Sequence, residues 1–269
     1  MANVNLFIGS KGGIGKTFAA AALIQALTHH GIAPSCYDLD PCTRGLHLLK
    51  TLPKKELQVI EDGRINGVLF DGMIEDIRNA AKDDIFIIDT GSSSFLILYE
   101  YLRTSRLPKI LEAMGHQFFF HSIIYAGTAL PATCQYFLQC LRDFPENRHY
   151  VWVNPHEAKP VIDGKPFENS QTFLDNEDRI AGLVRIPVFN EWMDWDLRTM
   201  WEEGKTLQEF IDTPGRNLAP CTRVAEVQRL LFSAIEQSGL IPEPPKDEPE
   251  PAPAPAAAPA KEPKEKGKK

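Results

Sequence analysis

The 269-residue sequence predicts an α/β fold in which a mostly parallel sheet carries helices on both faces. Short apolar runs rich in strand-forming residues alternate with longer segments suited to helices. The runs are apolar throughout, as strands are when helices cover a sheet on each side. With 43% hydrophobic residues, the chain has enough apolar side chains for one sizeable core. These observations predict one large domain over residues 1–240.

The pattern begins with a strand at residues 4–8, a glycine-rich turn, and an alanine-rich helix at residues 18–27. The same alternation continues to the end of the domain, whereas residues 155–176 fit neither pattern. The later predicted strands are residues 34–37, 57–60, 84–89, 117–125, 149–153 and 184–188. The later predicted helices are residues 65–81, 95–103, 131–142 and 223–237.

The composition changes after Leu240, where proline, alanine, glutamate and lysine fill residues 241–269. Such a segment buries too little apolar area to offset the entropy lost on ordering, so we expect a disordered tail. Its charges nearly cancel, and the formal net charge of −7 therefore belongs to the domain. An acidic domain argues against a broad nucleic-acid-binding surface, because phosphate contacts need Lys and Arg. Contact with DNA through a small basic patch stays open.

Targeting signals and cysteine motifs are absent from the sequence. No run reaches the roughly 18 apolar residues that span a membrane, and the first residues do not form a signal peptide. We therefore expect a cytoplasmic protein with no transmembrane segment. The cysteines show no C-x-x-C or paired Cys/His spacing, which favours reduced thiols. An iron–sulfur cluster shared across a dimer is the alternative. The cysteines are Cys36, Cys42, Cys134, Cys140 and Cys221.

The run SKGGIGKT, from Ser10 to Thr17, connects the first predicted strand to the first helix. Glycines in such a turn let backbone N–H groups and the helix N-terminus surround an anion. Lys16 is expected to neutralise the phosphates of ATP, and the Thr17 hydroxyl to ligate Mg²⁺. Ser10 stands where the ordinary Walker A pattern has glycine, so the loop is a deviant one. The predicted ATP-binding residues of this segment are Gly12, Gly13, Ile14, Gly15, Lys16, Thr17 and Phe18.

The residues KGGIGKT resemble the K-G-G-x-G-K-[ST] loop of the ParA/MinD family of P-loop ATPases. In that family the first lysine of the motif is the signature residue, and here it is Lys11. The resemblance implies an ATP-dependent sandwich homodimer. It also implies that Lys11 acts in catalysis by reaching the phosphates bound to the partner subunit.

Two carboxylates, Asp38 and Asp40, follow the second predicted strand in the run YDLDP. Alternation places both on one side of an extended segment, where they suit Mg²⁺ and an attacking water. The run resembles the family's D-x-D-P switch motif. The resemblance implies that Asp40 orients the hydrolytic water and that Asp38 is an outer partner of Mg²⁺.

Asp89 ends the apolar run IFIID, which is typical of a Walker B strand that delivers a carboxylate to the metal. Family members often continue with Asp-Thr-Pro, whereas Gly91 and three serines follow Thr90 here. This departure affects the expected switch segment, and the predicted role of Asp89 in metal binding stands.

A further resemblance concerns the residues around the adenine base. In the family, an asparagine at the end of a matching strand contacts adenine, and the resemblance implies this role for Asn154. Pro187 resembles a residue that lines the base pocket.

His116 and His121 are five residues apart across a glycine, which is poor geometry for metal ligands. We interpret both histidines as structural.

The strings EAMGH at residues 112–116, residues 121–130 and WVNP at residues 152–155 resemble the conjugal-transfer branch called TraL. The plasmid-stability proteins called StbB are also similar. This resemblance implies a bacterial plasmid protein whose partner belongs to conjugation or plasmid-maintenance machinery. The favoured function is a slow Mg²⁺-dependent ATPase that acts as a dimerisation switch. The alternatives are an ATP-dependent metabolic ligase, a non-hydrolysing nucleotide-binding module and a metal-cluster carrier.

Overall fold

The computed structural model describes residues 1–39, 45–57, 60–61, 64–65, 68–156 and 158–242. Strands and helices alternate along these residues, which confirms the predicted fold class. The strands are β1 (Asn3–Ile8), β2 (Ser35–Asp38), β3 (Lys55–Glu56), β4 (Ile60–Glu61), β5 (Arg64–Ile65), β6 (Ile85–Asp89), β7 (Gln117–Tyr125), β8 (Arg148–Asn154), β9 (Val161–Ile162), β10 (Lys165–Pro166) and β11 (Ile180–Arg185). The helices are α1 (Lys16–His29), α2 (Leu69–Arg78), α3 (Ser92–Ser105), α4 (Leu107–Ala113), α5 (Leu130–Asp143), α6 (Gln171–Leu174), α7 (Glu191–Glu202), α8 (Leu207–Ile211) and α9 (Leu218–Gln237).

Seven of the described strands form one parallel sheet in the order β11-β8-β7-β1-β6-β2-β3. Strand β1 is central, and β6 and β7 pair with it on opposite sides. After β6 the chain crosses to the other side of β1, where it forms β7. Parallel sheets bind ligands at the carboxyl edge where the strand order reverses in this way. The loop that follows β1 leaves the sheet at that point.

Helices cover both faces of the sheet, because alternate side chains of each buried strand point to opposite sides. On β1, Phe7 packs in a core that includes residues of α1, α7, α8 and α9. Its neighbours Leu6 and Ile8 pack in a second core with residues of α2, α3, α4 and α5. Four consecutive alanines of α1, residues 19–22, are buried. Their small side chains let this helix pack closely on the centre of the sheet.

The strand predicted over residues 184–188 is displaced in the structure, where β11 runs from Ile180 to Arg185. Pro187 has no N–H to donate to a strand ladder. The strand therefore ends before it, and residues 186–189 line a cavity instead.

The region after β2 also differs from the prediction. The strand that pairs with β2 is β3, Lys55–Glu56, whereas the sequence predicted a strand at residues 57–60. Ile60 pairs with Ile65 in a separate antiparallel hairpin, so the helix predicted to start at Ile65 begins at Leu69. Pairing within this short hairpin overrides the helical pattern of the sequence.

Helices α4, α6, α7 and α8 were not predicted from the sequence, although α7 and α8 carry local start signals. The Asn190 side chain accepts a hydrogen bond from the Met193 N–H at 3.0 Å, which caps the start of α7. Thr206 and Glu209 form a capping box at α8. Each signal is short and precedes a segment of mixed polarity, which hid the helical pattern.

The described residues end at Pro242, five residues after α9. The predicted tail therefore lies outside them from residue 243 onward, as do Asp40 and Cys42. No described helix has both the length and the apolarity needed to cross a membrane.

The cysteines within the described residues are free thiols. Burial raises the pKa of Cys36 to about 12 and that of Cys134 to about 11, so both stay protonated at neutral pH. Within the same residues no group of three His, Cys, Asp or Glu side chains is arranged to hold a metal ion. Cys36 and Cys140 are buried inside their own chain and are poorly placed to share a cluster with a partner.

Candidate nucleotide-binding site

The loop between β1 and α1 lies at the carboxyl edge of the sheet, above its central strand. Gly13 and Gly15 have φ angles of 76° and 98°, in the left-handed region that favours glycine. Ile14 is only 3% exposed and anchors the loop in the core. Because α1 begins at Lys16, the N–H groups of its first turn face the loop. The turn therefore combines left-handed glycines with a helix N-terminus, the features on which the anion-binding prediction depends.

The two lysines of the loop have different environments. Lys16 is 6% exposed, and its Nζ donates a hydrogen bond to the Lys11 carbonyl oxygen at 3.1 Å. Its ammonium group thus lies inside the curve of the loop and adds positive charge to the helix N-terminus. The Lys11 side chain is exposed to solvent. Of these two lysines, Lys16 is the one whose ammonium group lies within the loop of its own chain.

Asp38 and Asp89 are buried carboxylates at the ends of β2 and β6. They are partners in the parallel register of these two strands. The Asp38 Oδ2 atom accepts a hydrogen bond from the His47 N–H at 3.0 Å. The next residue after β6, Thr90, donates its hydroxyl to the Phe7 carbonyl oxygen of β1 at 2.7 Å. Both carboxylates therefore lie at the edge of the sheet from which the loop leaves.

A cavity of about 520 Å³ opens beside the loop. The loop and the residues after β6 form one side of it. The ends of β7 and β8, the segment after β11, and α7 form the rest. This volume is within the range of pockets that hold ligands of nucleotide size. The lining residues are Gly12, Gly13, Gly15, Lys16, Thr17, Phe18, Thr90, Gly91, Tyr125, Asn154, Pro155, His156, Ile186, Pro187, Val188, Phe189, Asp194, Leu197, Arg198 and Trp201.

One part of the cavity is aromatic and apolar. The rings of Phe18 and Phe189 meet edge to face with centroids 6.4 Å apart, and Pro187 and Trp201 lie in the same wall. Flat apolar surfaces of this kind favour a planar ring. The loop that lines the same cavity offers positive charge, so the cavity suits a ligand that combines a planar ring with phosphates.

Asn154 lies between the loop and the cavity at the end of β8. Its Nδ2 atom donates to the Ile14 carbonyl oxygen at 3.0 Å. Its Oδ1 atom accepts a hydrogen bond from the His156 N–H at 3.1 Å. The side chain is 8% exposed. It therefore joins a strand end to the loop, although the two are distant in sequence.

His121 belongs to a buried chain of hydrogen bonds that crosses the sheet away from the cavity. The Trp152 Nε1–H donates to its Nδ1 atom at 2.9 Å, so its Nε2 atom carries the proton and donates to Asn5 Oδ1 at 3.0 Å. His116 lies before β7 and is 8% exposed. Both positions agree with the structural interpretation of these histidines.

The structure brings most of the predicted site residues together. The loop, Asp38 and Asp89 share one edge of the sheet, and Asn154 and Pro187 border the cavity there. Asp40 lies outside the described residues, so its position stays a prediction. The wall formed by α7 was not predicted from the sequence. Its cavity residues follow i, i+3, i+4, i+7 spacing, a helical pattern that was available in the sequence: Asp194, Leu197, Arg198 and Trp201.

No protein-family model matches the chain. Two curated relatives, both named Protein TraL and both from Escherichia coli, are 30% identical to it over 243 residues. The matches cover 90% of this chain and 100% of each relative. The chain belongs to the TraL family.

The predicted TraL resemblance is thus confirmed for the chain as a whole. Among solved structures, the MinD cell division protein of Aquifex aeolicus matches this TraL-family chain with a TM-score of 0.50 and 15% identity. The match covers 86% of this chain and 97% of that chain. The TraL-family chain therefore has a MinD-like fold, as the resemblance of its loop to the ParA/MinD family predicts.

Proposed function

We propose that this protein binds and slowly hydrolyses ATP with Mg²⁺, and that bound ATP controls the association of two copies of the chain. The observation that carries the proposal is the meeting of Lys16, the paired carboxylates Asp38 and Asp89, and a cavity of nucleotide size at one edge of the sheet. The MinD-like fold supports a nucleotide-binding function. Membership of the TraL family supports a role in plasmid transfer, positioning or stability, with a partner from the conjugation or plasmid-maintenance machinery.

The loop fits the phosphates of ATP. A side chain built at Gly12 or Gly13 would meet no heavy atom within 4 Å, so there is space above the loop backbone. Loop N–H groups and Lys16 would hold the phosphates, and Thr17 would ligate Mg²⁺, with Asp38 and Asp89 bound to it through water. When bound, MgATP supplies the phosphoryl group and the divalent charge. Phe18, Asn154 and Pro187 would border the base.

Two further residues complete the proposed catalytic set. Asp40 would orient the attacking water. Lys11, whose side chain is exposed, would be contributed by the second copy of the chain. Charge stabilisation by lysines, metal and backbone amides is the main catalytic term for phosphoryl transfer. We expect slow turnover, since the lifetime of the ATP-bound dimer would be the useful output.

Mass measurement in solution, with and without MgATP, tests the proposal. We expect an ATP-dependent dimer for the wild type, a persistent dimer for Asp40→Ala and a weakened dimer for Lys11→Ala. Lys82→Ala is the matched control, because Lys82 is an exposed lysine that precedes β6, at the opposite edge of the sheet. It should behave as the wild type.

Two results would overturn the proposal. The first is an unchanged monomer for all variants in the presence of MgATP. The second is fast ATP turnover that appears only when a small carboxylic acid is added, which would indicate a metabolic ligase.

A further inference from the structure

The Asn154 side chain is committed to the phosphate loop. Its two hydrogen bonds, from Nδ2 to the Ile14 carbonyl oxygen and to Oδ1 from the His156 N–H, engage both ends of the amide. A base contact would have to use the remaining hydrogen of Nδ2 or the remaining lone pair of Oδ1. The geometry of the amide is therefore set by the protein before any ligand binds.

The loop and this amide are fitted to each other. A Cβ atom built on Gly15 would lie 2.9 Å from Asn154 Nδ2, closer than real side chains approach. Gly15 also has a φ of 98°. Glycine at this position thus serves two needs, since it adopts the left-handed backbone and leaves room for the amide to reach Ile14.

The contact fixes the orientation of a peptide unit in the loop. In a planar trans peptide the C=O and the following N–H point in opposite directions. When the Ile14 carbonyl is held toward Asn154, the Gly15 N–H points the opposite way within the same peptide plane. Backbone N–H groups of such loops are what surrounds a bound anion. Asn154 thereby controls the orientation of one of these donors.

We infer that Asn154 is a positioning residue for the phosphate loop, and that its main contribution to ligand binding is made to the phosphates rather than to the base. This inference rests on the proposed nucleotide-binding function. It differs from the role that family resemblance implies for this asparagine. Its consequence is that loss of the amide weakens binding of every triphosphate equally, including one that carries no base.

Calorimetric titration of the full chain with ATP, GTP and inorganic tripolyphosphate, each with Mg²⁺, tests the inference. For Asn154→Ala we expect the three dissociation constants to rise by the same factor. The factor should be about tenfold, because the variant loses one hydrogen bond to the loop. Asn154→Thr has nearly the volume of the native side chain but a hydroxyl too short to reach Ile14. This variant should also lose affinity for all three ligands by the same factor. It keeps the test available if the alanine variant folds poorly.

Asn147→Ala is the matched control. Asn147 is 3% exposed, and its amide donates to Glu112 Oε1 at 2.7 Å just before the opposite end of β8. We expect this variant to lower the melting temperature comparably and to keep all three affinities. A purely stabilising role for Asn154 would give that same pattern.

The outcomes separate the possible roles. A loss confined to ATP, with tripolyphosphate unchanged, would show that Asn154 reads the base and would overturn the inference. Unchanged affinities for all three ligands would also overturn it. If wild-type protein binds tripolyphosphate but shows no ATP-dependent dimer, the switch mechanism fails while the positioning role survives. If the wild type binds none of the ligands, the proposed function and the inference both fail.

Discussion

Asp38 and Asp89 face each other as register partners at the ends of two neighbouring parallel strands, and both side chains are buried. Neighbouring strands lie about 4.8 Å apart, so the two carboxyl groups lie close together beside the loop that follows β1. Such an arrangement suits a divalent cation. It gives the first prediction, which concerns the dependence of ATP binding on Mg²⁺.

Asp89→Asn should weaken the binding of Mg²⁺ in the presence of ATP by about 10- to 100-fold, the usual cost of removing an outer partner of a metal. Binding of ATP without Mg²⁺ should be unchanged or improved, because a negative charge near the phosphates is removed. Titrating ATP at a series of Mg²⁺ concentrations measures both effects.

Asp84→Asn is the control for this prediction. Asp84 directly precedes β6, the strand that Asp89 ends, and it is exposed at the far edge of the sheet. It should leave the Mg²⁺ dependence intact. Identical Mg²⁺ curves for Asp89→Asn and the wild type would contradict the metal role.

Tryptophan fluorescence should report nucleotide binding. Trp201 lines the cavity, whereas Trp152 is fully buried in the core and Trp192 and Trp195 are each 69% exposed. Adding ATP should change the emission of the wild type, because the surroundings of Trp201 change. Trp201→Phe should lose most of this signal, and Trp192→Phe should retain it. A signal that survives in Trp201→Phe would mean that the ligand does not enter this cavity.

Two buried histidines should make the fold sensitive to acid. Burial lowers the pKa of His149 to about 3, and the nearby charge of Arg179 lowers it further by a smaller amount. Burial also holds the pKa of His121 well below 6.5, with a smaller lowering effect from His149. In the unfolded chain both rings take up protons near pH 6.5, so below that pH the unfolded state binds more protons. The free energy of unfolding should therefore fall as the pH drops from about 6.5 toward 3, by up to about 1.4 kcal/mol per pH unit for His149.

His149→Leu isolates this effect. Neither ring nitrogen of His149 has a hydrogen-bond partner among the described residues, so an apolar side chain of similar size should cost little at pH 7. Urea unfolding at several pH values should then show a shallower loss of stability in acid. His29→Leu, at an exposed position in α1, should keep the wild-type slope. An unchanged slope for His149→Leu would refute the prediction.

Gly182 on β11 should be intolerant of any side chain. A Cβ atom built there would lie 2.2 Å from the Ser238 carbonyl oxygen, directly after α9. Because the obstacle is backbone, Gly182→Ala should lower the free energy of unfolding by about 1–3 kcal/mol. Gly72→Ala is the control. Its Cβ would meet nothing within 4 Å in α2, and it should stabilise the protein by up to about 1 kcal/mol. Equal stabilities of the two variants in urea unfolding would contradict this packing argument.

The parts of the fold that were predictable are those with a local cause. Strands β1, β6, β7 and β8 were predicted within a residue or two, because a buried parallel strand is a continuous apolar run bounded by turns. The predictions failed where pairing partners decide the structure. Ile65 joins a hairpin with Ile60 rather than a helix, and Pro187 ends the sheet at residues that looked like a strand.

The candidate site divides in the same way. The turn between β1 and α1 could be named as a candidate phosphate loop because its glycines, Lys16 and Thr17 are close in sequence, and backbone conformation and charge act there over a few residues. Asp38 and Asp89 could be named from their strand ends, although only the strand order makes them register partners. The helical spacing of the cavity residues on α7 was available in the sequence, but their place in the cavity wall could not be predicted, since it depends on packing against other helices.

The sequence by itself therefore determined the loop chemistry and the α/β class, because both arise from short-range spacing. The tertiary structure alone decided that Asn154 holds the Ile14 carbonyl and that Trp201 faces the same cavity as the loop. These contacts join residues more than a hundred positions apart. Their geometry is set by the order of strands in the sheet and by how the helices pack on it, which no local pattern of residues specifies.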